Sequence, residues 1–137
     1  DANAKSGGDG AFELIVLLSD HWKGDLKTVL DLLVKYGADP KYRRYVRYSC
    51  DSWRINVEIV NYFLKYTDDI NFQDDEGATD LMRCTKTQTL PIIKAILDAG
   101  SNPKLRDKQG KSALGYVVES WNAPEVRELL MSYGVEP

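Results

Sequence analysis

A chain of 137 residues suits one compact domain with room for a sizeable core. Apolar residues at 43% and charged residues at 28% are ordinary globular usage, which sets aside disordered, fibrous and collagen-like classes. A formal charge of -3 and a pI near 5.2 leave no global positive field for nucleic-acid backbones or anionic membranes, so any basic character must be local.

In chain order, Ala2 to Gly10 carries too few apolar groups to pack, and residues 1–10 are expected to form a flexible tail. Phe12 to His21 follows as an apolar helix. Its strongest run, Leu14 to Leu18, is far short of the roughly 20 residues a bilayer crossing needs. Val29, Leu30, Leu32 and Leu33 recur at helical spacing and end on Gly37-Ala38-Asp39-Pro40. The same plan returns with Ile59, Val60, Phe63 and Leu64 before Thr67-Asp68-Asp69-Ile70-Asn71. It returns again with Ile92, Ile93, Ile96 and Leu97 before Gly100-Ser101-Asn102-Pro103, and with Val126, Leu129 and Leu130 before Gly134-Val135. Between these helices, Asp74-Asp75-Glu76-Gly77-Ala78-Thr79-Asp80-Leu81 matches Asp107-Lys108-Gln109-Gly110-Lys111-Ser112-Ala113-Leu114 at an offset of 33. Thr79 and Ser112 stand where a hydroxyl caps a helix. Gly37, Gly100 and Gly134 stand where a helix ends at positive φ. Gly77 and Gly110 suit tight turns.

This period, the D-x-x-G phrase, Glu58-Ile59-Val60-Asn61-Tyr62-Phe63-Leu64 and Gly37-Ala38-Asp39 together resemble the ankyrin-repeat family. The resemblance covers about four repeats within residues 11–134, placed at approximately 11–40, 41–73, 74–106 and 107–137. It implies an all-α solenoid of stacked helix-turn-helix units with β-turn or hairpin fingers, forming one domain over 11–137 with an N-terminal capping hairpin.

The resemblance also implies a function, protein–protein interaction through the concave face and finger tips. A stand-alone chain of this kind could regulate an enzyme by covering its active site. The family's partner-facing positions fall on Tyr42, Arg43, Tyr45, Trp53, Arg54 and Tyr66 in the second repeat, with Arg44 beside them. There the expected finger is replaced by Lys41-Tyr42-Arg43-Arg44-Tyr45-Val46-Arg47. Trp22 and Tyr36 continue the stripe on one side. Asp75, Glu76, Lys86, Lys108, Lys111, Trp121 and Tyr133 continue it on the other. Aromatic and Arg side chains suit an interface centre because they combine large contact area with a polar handle. The competing reading is that Tyr48 and Trp53 pack inward and that tyrosines before a closing glycine lie on their own helix. A different reading has Lys41, Arg43, Arg44 and Arg47, with the interleaved tyrosines, bind nucleic acid or another polyanion; the net acidity counts against it.

His21 is the single histidine, so no His cluster for a metal can form, and no nucleophile is placed beside it. The acidic residues from Asp68 to Glu76 lack the spacing of a calcium loop. Neither an enzyme activity, a cofactor, a small-molecule substrate nor a membrane is expected; the free chain is expected to be a monomer. Cys50 and Cys84 have no CxxC spacing and are expected as buried apolar fillers, since stacked helices about 8–10 Å apart disfavour a disulfide. The chain starts at Asp1, which leaves the compartment open.

Overall fold

The computed structural model of the chain describes residues 12, 23–41, 44–50, 56–87, 89–117 and 123–137. Among them are six α-helices, one 3-10 turn and no strand, as an all-α repeat solenoid requires. The helices are α1 (Leu26–Lys35), α2 (Tyr45–Cys50), α3 (Val57–Leu64), α4 (Asp80–Thr87), α5 (Leu90–Asp98) and α6 (Ala123–Ser132), with the 3-10 turn at Ala113–Tyr116. The chain divides into two compact units, Asp1–Thr67 and Asp68–Pro137. Of the expected tail and first helix, only Phe12 lies within the described residues.

In Asp1–Thr67, α1 begins because Asp25 accepts hydrogen bonds from the Thr28 amide (3.2 Å) and hydroxyl (2.6 Å), which hold its carboxyl below the usual range. Leu26 and Leu30 turn inward one helical turn apart. Leu32, expected inside, is 46% exposed, because the narrow inward stripe of α1 is set by Leu26 and Leu30. α3 begins at Asn56, whose side-chain oxygen accepts the Glu58 amide at 2.8 Å, and it buries Ile59, Val60, Tyr62 and Phe63. The centre of this unit is aromatic. Phe12 meets Tyr45 and Phe63 edge-on, each at 5.3 Å, and Tyr45 stacks on Phe63 at 4.7 Å. The Tyr62 hydroxyl donates to Asp31 at 3.0 Å, tying α3 to α1. Burial, with Tyr66 and Asp31 alongside, pushes the Tyr62 phenol well above its ordinary value.

In Asp68–Pro137 the core is aliphatic: Leu81 and Met82 from α4, Ile92, Ile93, Ile96 and Leu97 from α5, Ala113, and Val126 and Leu130 from α6. The Thr79 hydroxyl accepts the Met82 amide at 3.2 Å and so caps α4 as expected. Ser112 makes no such cap. Its backbone carbonyl instead receives Gly115 at 2.9 Å, and the segment winds into a single 3-10 turn before Val117 becomes extended.

Three helices end in the same way. After α1, α5 and α6, Gly37, Gly100 and Gly134 take φ of 97°, 100° and 79°. The following amides, Ala38, Ser101 and Val135, reach back to Leu33, Ile96 and Leu130. α3 has no glycine there. The Thr67 hydroxyl donates to the Phe63 carbonyl at 3.0 Å and satisfies that helix end with a side chain instead.

Candidate partner-binding surface

The two fingers of Asp68–Pro137 are built from one repeated clamp. Asp74 Oδ1 accepts the amides of Glu76 and Ala78, both at 2.9 Å, closing the turn 74–78 on itself. Asp107 Oδ1 does the same for Gln109 (2.8 Å) and Lys111 (2.9 Å). The second oxygen of each carboxylate is held by the helix or turn that follows, by Arg83 at 2.9 Å from Asp74 and by the Tyr116 hydroxyl at 2.7 Å from Asp107. Arg83 and Tyr116 are themselves 33 positions apart. Each finger is therefore fixed to its own first helical segment by a charged or phenolic strut.

The struts leave an electrostatic mark. Hydrogen bonds from Tyr116 and from the Lys111 amide hold the Asp107 carboxyl below its usual range. Burial, followed by the bond to Asp107, pushes the Tyr116 phenol up to about 12. Asp74 and Glu76 together raise the Arg83 guanidinium above its ordinary value, keeping it charged.

The fingers also pair with each other. The Lys108 amide donates to the Glu76 carbonyl at 3.0 Å, and Gln73 Nε2 donates to both Gly77 and Arg106 carbonyls at 2.8 Å. Gly77 has φ of 77°, and a Cβ there would lie 2.8 Å from the Lys108 nitrogen, so this approach admits only glycine. Where fingers and first helices meet, Asp75, Glu76, Arg83, Asp107, Lys108, Gln109, Lys111 and Tyr116 line an open cleft of about 350 Å³.

Of the residues expected to face a partner, Asp75, Glu76, Lys108 and Lys111 come together in this cleft. Lys86 is exposed at the end of α4, and Glu76 is engaged by Arg83 at 2.6 Å. Tyr133, also in this unit, is 40% exposed. In the other unit Tyr36 is 71% exposed at the end of α1, with Lys35 at 6.0 Å from its ring. Tyr66 is half-buried against Tyr62 at 5.4 Å, and Arg44 is half-buried. Tyr42, Arg43, Trp53, Arg54, Trp22 and Trp121 lie outside the described residues, as does His21.

Tyr45 requires a correction. It is 2% exposed and opens α2, where a finger position was expected. The reason is a shortened connection. Asp39, Asp69 and Asn102 are equivalent, each accepting the amide two residues on. Tyr45 lies six residues after Asp39, whereas Asp80 lies eleven after Asp69 and Ala113 eleven after Asn102. With five fewer residues between Asp39 and the helix than in the later repeats, the helix starts early, and Tyr45, Val46, Ser49 and Cys50 form its inward face. Burial of Tyr45 also removes one of the rings a polyanion-binding segment would stack upon.

Sequence reasoning missed Arg83 and Tyr116, although the clamp had a legible signal in two residues nine positions after two equivalent aspartates. The cysteines call for a second correction. Cys50 and Cys84 are buried as expected, but neither is a free thiol; both are disulfide-bonded.

Comparison with known proteins turns this geometry into a family. Residues 48–137 match the family model described as ankyrin repeats in three copies. The chain belongs to the ankyrin-repeat family. An ankyrin repeat protein of Acanthamoeba polyphaga mimivirus is 30% identical over 94 residues, covering 63% of this chain and 58% of the relative. The chain thus spans a little over half the length of that relative. Ankyrin repeats are generally protein–protein interaction modules and typically non-enzymatic. No group of His, Cys, Asp or Glu among the described residues is placed to hold a metal ion, and no helix among them is long and apolar enough to cross a membrane.

Proposed function

We propose that this ankyrin-repeat chain binds one partner protein through its finger tips and the first-helix side of its repeats, and that it acts as a regulator by covering part of that partner. The observation that carries this reading is the cleft of Asp68–Pro137, where the Asp74–Arg83 and Asp107–Tyr116 struts fix two fingers beside exposed charged side chains. Fingers held in advance lose little freedom on docking, so more of the contact energy is available for binding. The open, polar lining suits another protein's surface better than an enclosed apolar ligand site.

A photo-crosslinking residue placed at position 108 should couple the chain to a discrete partner in extracts of its source, while the same residue at exposed position 94 on α5 should give far less. Equal coupling from the two positions, or none from position 108, would remove the finger-side reading. Regulation is checked on the purified partner, whose own activity should fall as this chain is titrated in.

A further inference from the structure

The two fingers of Asp68–Pro137 share their clamps but invert their tip chemistry. At equivalent positions Asp75 corresponds to Lys108, Glu76 to Gln109, and Ala78 to Lys111. The clamps also decide which charges stay outside ion pairs. Arg83 is engaged by both Asp74 and Glu76, and Asp107 by Tyr116 and two amides. The side chains of Asp75, Lys108 and Lys111 make no ion pair with any described residue, and all three border the same cleft. The Lys108–Glu76 backbone bond at 3.0 Å sets the two fingers side by side. The Lys111 stem passes close to Gly115, where an added Cβ would lie 3.1 Å from Lys111 Cβ.

We propose that this cleft takes an extended segment of the partner protein carrying a cation and an anion a few residues apart, the cation over Asp75 and the anion over Lys108 and Lys111. The inference rests on the partner-binding reading above and gives that partner its chemistry. A uniformly acidic segment would be repelled at Asp75 and Asp107, and a uniformly basic one at Lys108 and Lys111, so opposite charges on one segment fit where either charge alone does not. In an extended chain, side chains on one face recur about every 6.6–6.8 Å, within reach of flexible side chains on adjacent fingers.

The test is selection of random dodecapeptides displayed on phage against the immobilised 137-residue chain at about 0.05 M salt, where surface charge is weakly screened. Enriched peptides should pair a Lys or Arg with an Asp or Glu within a few positions. Enrichment should fall about tenfold for Asp75→Ala and for Lys108→Ala/Lys111→Ala, and hold for Lys94→Ala, as removal of close charge pairs at an interface predicts. The substituted side chains are exposed and unpaired, so unchanged thermal unfolding serves as the control for folding. Enriched peptides that are wholly acidic, wholly basic or apolar, or that ignore all three cleft substitutions, would overturn the proposal while leaving partner binding intact. No enrichment over an unrelated protein would overturn both.

Discussion

Tyr45 is held at 2% exposure between Phe12 and Phe63, so removing its ring leaves a void that two other aromatic rings cannot collapse into. Tyr45→Ala should cost about 3–5 kcal/mol in urea unfolding, the range for deleting a buried aromatic ring. A loss of partner affinity without a loss of stability would contradict the burial. Gly77 and Gly110 share nearly the same positive φ yet differ in what surrounds them: a Cβ meets the Lys108 backbone at Gly77 and open space at Gly110. Gly77→Ala should therefore destabilise more than Gly110→Ala, with the backbone penalty of about 1 kcal/mol common to both. Comparing the two denaturation midpoints isolates the clash. The Asp107–Tyr116 pair makes a pH prediction with two limbs. The depressed Asp107 contributes stability that is full above its ordinary value of 3.8 and is lost as pH falls through its lower folded value. The raised Tyr116 contributes stability that is full below pH 10.0 and is lost as pH rises toward about 12. Ultraviolet titration should lose one tyrosine ionising near about 12 in Tyr116→Phe, with the later-ionising Tyr62 retained in both proteins, and carboxyl NMR should show Asp107 moving back toward its ordinary value.

Among the helices, α5 and α1 give opposite answers to one substitution. Leu97 is buried with Ile92, Ile93 and Ile96, and Leu97→Ala should cost about 2–5 kcal/mol. Leu32→Ala, at a side chain 46% exposed, should change stability by less than about 0.5 kcal/mol. Both leucines belong to the same periodic pattern in the sequence. That pattern identified the helices correctly, since period alone marks a helix, but it could not say how wide the buried stripe would be. The width depends on which neighbours cover each helix. The fingers divide in the same way. Those at 74–78 and 107–111 were legible from their aspartate and glycine spacing, because Asx-type turns are made by residues next to one another in the chain. Tyr45 was misread as a finger residue because the shortened connection after Asp39 shows only once helix starts are known.

For the chain as a whole, the two units were not visible in the repeat period. Each has its own core, aromatic in Asp1–Thr67 and aliphatic in Asp68–Pro137. Since neither Cys50 nor Cys84 is a free thiol, the unfolded chain should take up no iodoacetamide until a reductant is added, as mass spectrometry would read directly. Uptake before reduction would contradict the structure. By itself the sequence determined the ankyrin period, the helix-closing glycines, the Thr79 cap and the aspartates that close the fingers, because each depends on contacts between near neighbours. Only the tertiary structure decided that Tyr45 is core rather than surface, that Arg83 and Tyr116 brace the fingers, and which of Asp75, Glu76 and Lys108 stay outside ion pairs. Burial and charge compensation depend on what packs against a side chain from elsewhere in the fold, which its own sequence position does not specify.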